Sequence, residues 1–196
     1  MEETIMDQQL PPQKPSRTKR IAKEAGSWLL HIAAALLLAQ LISFLLFQPI
    51  VVKGESMQST LQNGELMYVS KPEYLLGDPS RGDVIICRYP GRTEYFVKRV
   101  MGLPGETVQV DHNAVYINGE LIPEPYLDDE KNNNGFSMEA FTLGADEYFV
   151  MGDNRDNSHD SRNYYGYGSP AAITRDMVVG HVKLVMFPFK SIREID

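Results

Sequence analysis

The pattern of apolar and polar positions divides the chain into three parts. Residues 1–13, MEETIMDQQLPPQ, are polar and carry a proline pair, which predicts a disordered tail. Residues 28–47, WLLHIAAALLLAQLISFLLF, then run without a single Asp, Glu, Lys or Arg. At ~1.5 Å per residue, a helix of that length spans roughly 30 Å, the thickness of a bilayer's hydrocarbon core. Beyond it the pattern changes to short runs of β-branched and aromatic residues between turn signals. These predict strands over 65–70, 83–89, 94–101, 106–110, 114–117, 120–122, 147–151 and 178–187. Asn118-Gly119 between two of them is a strong hairpin signal, and Gly102-Leu103-Pro104-Gly105 is another sharp turn. After the anchor the only helix candidate of note is a short one at 56–62. The expected fold class is therefore mainly β. A single N-terminal transmembrane helix precedes an outer domain of antiparallel β-sheets folded on themselves. The boundaries implied are a basic tail at 1–25, the anchor at 26–48 and the β-domain at 49–196.

Charge adds a direction. Lys14, Arg17, Lys19, Arg20 and Lys23 precede the apolar run with no acid among them, which predicts a cytoplasmic N-terminus and an extracytoplasmic domain. A cleaved secretory signal is the competing reading. Its apolar region is shorter and ends in a small-x-small site. Here the run leaves through Phe47-Gln48-Pro49-Ile50-Val51-Val52, while Ala33 and Ala35 lie in mid-span, so an uncleaved anchor is expected.

The chain carries a net charge of −7, and residues 53–196 hold 14 basic against 22 acidic residues. That balance argues against nucleic acid as a partner, because phosphate binding needs a basic face. Cys87 is the only cysteine, which excludes an intrachain disulfide and a Cys-rich metal site. It reads as a small buried hydrophobe. The acidic, Asn-rich stretch 128–135 reads as a solvated loop.

Three segments carry candidate chemistry. In 95–101, YFVKRVM, alternation puts Phe96, Lys98 and Val100 on one face and Val97, Arg99 and Met101 on the other. A strand apolar on both faces is buried on both, so its two cations need an explanation. Two readings stand. A buried lysine has a lowered pKa and can act as a base near neutral pH, or both side chains snorkel from a sheet edge. In Gly54-Glu55-Ser56-Met57 the serine is either a turn residue or a nucleophile. The stretch 152–162, GDNRDNSHDSR, is dense enough in Asp, Asn, Ser and Arg to form a hydrogen-bond network. A calcium loop beginning at Asp156 would use Ser158 and Asp160. It would then need glycine at Ser161 and an acid at Tyr167, which argues against it.

These segments, in this order, resemble the type I signal peptidases, the membrane-bound Ser-Lys leader peptidases of bacteria, in the short form common among Gram-positive species. The resemblance rests on GESMQSTL at 54–61, RGDVII at 81–86, VKRVMGLPGE at 97–106 and GDNRDNSHDSR at 152–162. It implies Ser56 as nucleophile, Lys98 as general base and Ser158 as the hydroxyl orienting the lysine amine. It also implies a structural ion pair of Asp160 with Arg162, joined by Arg99. Gly54 stands where some members carry an oxyanion-binding serine, which leaves the Ser56 N–H as the expected donor. Ser59 departs from the usual proline. Val52, Met57, Leu61, Phe96 and Val97 match positions that line shallow pockets for small residues, Ala-x-Ala in type, before the cut. The implied partners are secretory preproteins, the lipid bilayer and a nearby export translocon; no cofactor and no metal is implied.

Rivals are a Ser56-His159-Asp triad, a self-cleaving Ser-Lys repressor protease, and a non-catalytic membrane assembly factor. Alternation turns His159 away from Ser158, the anchor and the lack of a DNA-binding helix pair count against a repressor, and both Ser56 and Lys98 are present. His112 and His181 read as structural.

Overall fold

The structure is a computed structural model and describes residues 17–89, 92–163 and 172–195. The expected tail at 1–13, and Lys14, lie outside the described residues. The chain divides into two units, Met1–Phe44 and Leu45–Asp196.

In the first unit, helix α1 runs Arg17–Leu46 and contains one stretch, Glu24–Ser43, long and apolar enough to cross a membrane. Among its described side chains, Trp28 is 71% and Leu37 72% exposed. The basic residues Arg17, Lys19, Arg20 and Lys23 belong to the same helix. The helix stops at Leu46, so Phe47 and Gln48 already belong to the next element.

The second unit is built of antiparallel strands. In chain order they are β1 (Phe47–Val51), β2 (Leu66–Ser70), β3 (Val84–Cys87), β4 (Phe96–Gly102), β5 (Thr107–Asp111) and β6 (Ala114–Ile117). There follow β7 (Glu120–Leu121), β8 (Met138–Thr142), β9 (Glu147–Met151), β10 (Ile173–Thr174), β11 (Val178–Phe187) and β12 (Arg193–Glu194). A short helix, α2 (Glu73–Leu76), separates β2 from β3. The larger sheet has the order β1-β2-β11-β3-β4-β9-β10, with β12 added to β11, and the smaller has the order β7-β6-β5-β8. All eight expected strands occur. The four that the pattern does not announce, β1, β8, β10 and β12, are short, and β1 emerges directly from the apolar helix.

The helix expected at 56–62 is a run of turns instead. Helical bonding begins, with Met57 O accepting from Thr60 N at 3.0 Å and Leu61 N at 2.8 Å. Ser59 then takes a φ of 104°, outside the right-handed region, and the helix cannot propagate.

The middle of the larger sheet is buried on both faces. From β3, Val84 and Ile86 join a core with Val52, Met57, Leu61 and Met67. Ile85 and Cys87 join a second core with Tyr89, Val100 and Tyr148 on the opposite face. This double burial explains why VIIC is a continuous apolar run and not an alternating one. Cys87 is fully buried, and burial pushes its thiol up to about 12. Strand β4 pairs with β3 on one side and β9 on the other, with Lys98 opposite Ile85, and Arg99 opposite Val84 and Met151. A strand so enclosed offers no edge for snorkelling, and Lys98 and Arg99 are each 2% exposed.

Candidate active site

Ser56 sits in the turns after β1, and Lys98 in β4. The Lys98 amine donates to Ser56 Oγ at 2.8 Å and to the Val97 carbonyl at 2.9 Å. Burial, the largest influence, lowers the Lys98 pKa; the Asp160 and Asp153 charges oppose it and Arg162 reinforces it. An amine so placed, once unprotonated, can accept the serine proton directly.

Behind the pair lies the stretch 152–162. Asp160 is fully buried: its Oδ1 accepts from Arg162 Nε at 2.9 Å, and its Oδ2 from Arg162 Nη2 at 2.9 Å and Gly152 N at 3.0 Å. Burial alone would raise the Asp160 carboxyl. The Arg162 hydrogen bonds and charge, with the Gly152 N–H, outweigh it and hold the pKa below the usual range. Arg99 has a carboxylate of its own in Asp153, to which Nε donates at 3.1 Å and Nη2 at 2.9 Å. Thr60, from the turns after Ser56, donates to the same Asp153. The turns that carry Ser56 and strand β4 are thus tied to one acid to which the resemblance assigned no role.

Ser158 Oγ is buried beside the Asp160 carboxylate, which it helps to hold below the usual range, and it makes no hydrogen bond to Lys98. Gly152 explains how the segments come so close. A Cβ there would meet Ser158 Oγ at 2.2 Å and Ser56 O at 2.4 Å. Gly54 has a φ of 95°, and its N–H donates to Asn63 Oδ1 at 3.0 Å, within its own loop.

A cavity of about 440 Å³ opens beside the pair, lined by Val52, Met57, Phe96 and Val97 together with Ser56 and Lys98. Leu61, expected on the same wall, is fully buried in the core with Val52 and Met57 and is not among the lining residues. A second cavity of about 630 Å³ shares Ser56 and Lys98 and is lined by Glu55, Asn63, Asn157 and an exposed His159. Among the described residues no group of three or more His, Cys, Asp or Glu side chains converges as metal ligands would.

Two residues essential to the architecture carried no assigned role in the sequence. Asn154 bonds the turn that carries Ser56, and Arg155, 2% exposed, pairs with Glu124 while its Nε donates to the Gly152 carbonyl at 3.2 Å. The only available signal was the unusual polarity of GDNRDN.

The family model for signal peptidases of peptidase S26 matches residues 25–187. The chain belongs to this family. It is a serine peptidase, a hydrolase of peptide bonds. Signal peptidase I T of Bacillus subtilis (strain 168) is 40% identical over 195 residues, covering 93% of this chain and 97% of that protein. A signal peptidase I of Bacillus amyloliquefaciens is 38% identical over 198 residues, with the same coverages. A crystal structure of a signal peptidase I from Enterococcus faecalis V583 is 33% identical, with a TM-score of 0.44, and covers 54% of this chain and 97% of that one.

Proposed function

We propose that the chain is a membrane-anchored signal peptidase that removes signal peptides from exported preproteins with a Ser56-Lys98 dyad. The observation that carries this reading is the 2.8 Å contact between Ser56 Oγ and a buried amine at the mouth of an apolar cavity. Ser56 Oγ attacks the scissile carbonyl while Lys98 takes its proton. As the C–N bond breaks, the Lys98 ammonium returns that proton to the leaving amine, and an acyl-enzyme remains. Water then attacks the ester with Lys98 again as base, releasing the acid and restoring Ser56.

Ser158, whose Oγ is buried beside Asp160, is the group suited to orient the amine. The Asp160–Arg162 pair, and Arg99 on Asp153, hold the base's surroundings rigid. The Ser56 N–H is the donor to the oxyanion, since the Gly54 N–H is engaged by Asn63. The walls formed by Val52, Met57, Phe96 and Val97 fit small side chains, which favours Ala-x-Ala before the cut. The span Glu24–Ser43 confines the enzyme to the bilayer that holds its preproteins and their export translocon, which raises effective concentration and lowers the affinity required. Neither step calls for a cofactor.

The test is incubation of the detergent-solubilised chain with a secretory preprotein, wild type beside Ser56→Ala. Release of the mature protein by the wild type alone supports the proposal. Equal cleavage by both proteins overturns it.

A further inference from the structure

The peptide planes on both sides of Ser56 are held by one residue. Asn154, 6% exposed, donates its backbone N–H to Ser56 O at 3.1 Å and its side-chain Nδ2 to Glu55 O at 3.1 Å. The first bond fixes the Ser56–Met57 peptide unit and the second the Glu55–Ser56 unit. A trans peptide is planar, with its N–H antiparallel to its C=O, so fixing Glu55 O fixes the direction of the Ser56 N–H. Glu55 O also accepts from Gln58 N at 3.0 Å. Two donors on that carbonyl polarise the amide and strengthen its N–H as a donor.

We infer that Asn154 is a positioning residue that aims the Ser56 N–H at the oxyanion; this rests on the serine-peptidase reading of Ser56 given above. The side chain is itself locked. Its Oδ1 accepts from Asn157 N at 3.2 Å, capping the 3-10 turn Arg155–Asn157, which leaves Nδ2 to face Glu55. One asparagine thereby joins the cap of the 152–162 segment to the peptide that bears the nucleophile, across 99 residues of sequence.

The cap and the clamp can be separated. Asn154→Ser and Asn154→Asp each retain an oxygen able to cap Asn157 N–H but lose the amide donor to Glu55, since the serine hydroxyl stops one atom short of Nδ2 and aspartate offers only acceptors; the backbone N–H to Ser56 O survives in both. In the full chain, cleaving a secretory preprotein in detergent, each variant is expected to lose roughly tenfold in kcat with little change in KM. That is less than the ~10²–10³ lost when an oxyanion donor is removed outright, because here the donor is misaimed and not deleted. A peptide aldehyde, whose adduct with Ser56 places an oxygen where the oxyanion forms, should lose affinity by the same factor. An uncleavable peptide with proline after the cut should bind unchanged.

Unchanged kcat, a rise in KM alone, or a loss of activity that follows loss of folded protein by circular dichroism would each overturn the inference. Those outcomes leave the serine-peptidase reading standing as long as Ser56→Ala is inactive. Cleavage by Ser56→Ala would remove that reading and this inference together.

Discussion

Lys98 Nζ lies 2.8 Å from Ser56 Oγ although 42 residues separate them, and the lysine is almost wholly enclosed. Two groups that move one proton act as a unit, so their losses should not add. Ser56→Ala, Lys98→Met and the double variant are each expected to reduce preprotein cleavage to the same residual level, whereas His159→Ala, which changes an exposed residue of the second cavity, should keep most activity. Lys98→Met should also be no less stable than wild type at neutral pH. Burial lowers the folded-state pKa of Lys98, so the native state is progressively penalised as pH falls from the unfolded value near 10.5 towards the folded one. An uncharged side chain of similar length removes that penalty. Thermal melts set beside cleavage assays check both halves.

The same lowered pKa fixes the shape of the pH profile. Activity needs the free amine, so kcat/KM should fall on the acid side through an apparent pKa well below the ~10.4 of free lysine. Lys98→Arg should be inactive throughout, because a guanidinium does not deprotonate at working pH. A profile flat down to pH 5 would contradict a lysine base.

How much of this was legible in the sequence depends on the range of the interaction. The long apolar helix and the strands are local patterns: twenty uncharged residues, and runs such as VIIC and AVYI bounded by turns. The Ser56–Lys98 pair was reachable only through the resemblance to the signal peptidases, since alternation alone left Lys98 between a buried base and a snorkelling side chain. What the pattern could not carry are the polar contacts between distant segments. Arg99 finds Asp153 across 54 residues, and Asn154 finds Glu55 across 99. The stretch 128–135, which reads as a solvated loop, docks on the 3-10 turn Arg155–Asn157. Asn134 N donates to Asp156 Oδ1 at 3.0 Å, and Arg155 N donates to Asn132 Oδ1 at 3.0 Å. The composition of a polar loop does not tell whether water or protein satisfies it. The helix at 56–62 failed for a related reason. The pull of Asn154 on Glu55 and Ser56, and of Asp153 on Thr60, shapes that segment more than its intrinsic propensity does.

Asp160→Asn should act mainly on stability. The carboxylate is fully buried and its charge is balanced by Arg162, so neutralising it leaves a buried cation without its counter-charge. Breaking a buried pair in this way costs about 3–5 kcal/mol, enough to lower Tm clearly. Because the folded-state pKa lies below the unfolded value of 3.8, the stabilisation is fully present above that value and is lost as pH falls through the folded one. The variant should therefore differ most from wild type at neutral pH and converge with it in strong acid. An unchanged Tm with no activity would move Asp160 into the catalytic machinery.

Gly152→Ala is expected to abolish activity even if some folded protein is recovered. The added methyl would lie within 2.6 Å of three atoms, Ser158 Oγ and Cβ and Ser56 O; the hydroxyl can rotate aside, but the Cβ and the backbone carbonyl cannot. Relief requires moving the nucleophile's turn away from β4, which opens the 2.8 Å contact that proton transfer needs. Overpacking of this kind typically costs about 1–3 kcal/mol. Activity in a stable Gly152→Ala protein would show that the turn tolerates displacement, and would weaken the dyad geometry as an account of the chemistry.

The remaining prediction concerns topology, since a serine on the wrong side of the membrane could not meet an exported cleavage site. Arg17, Lys19, Arg20 and Lys23 precede the span Glu24–Ser43 or lie at its edge on one helix, and positive charge flanking a span is retained in the cytoplasm. Residues 53–196 carry a balance of −8 and offer no such retention signal. The β-domain should therefore lie outside, with Ser56 only a few residues beyond β1. Protease added to intact spheroplasts is expected to digest the β-domain and spare a small N-terminal fragment. Removal of residues 1–46 should leave cleavage of a short soluble peptide intact while reducing the rate on preproteins held in a bilayer, because the loss is one of local concentration and not of chemistry. A β-domain protected in intact spheroplasts but digested after lysis would place Ser56 in the cytoplasm. The proposed role in processing exported preproteins would then have to be abandoned.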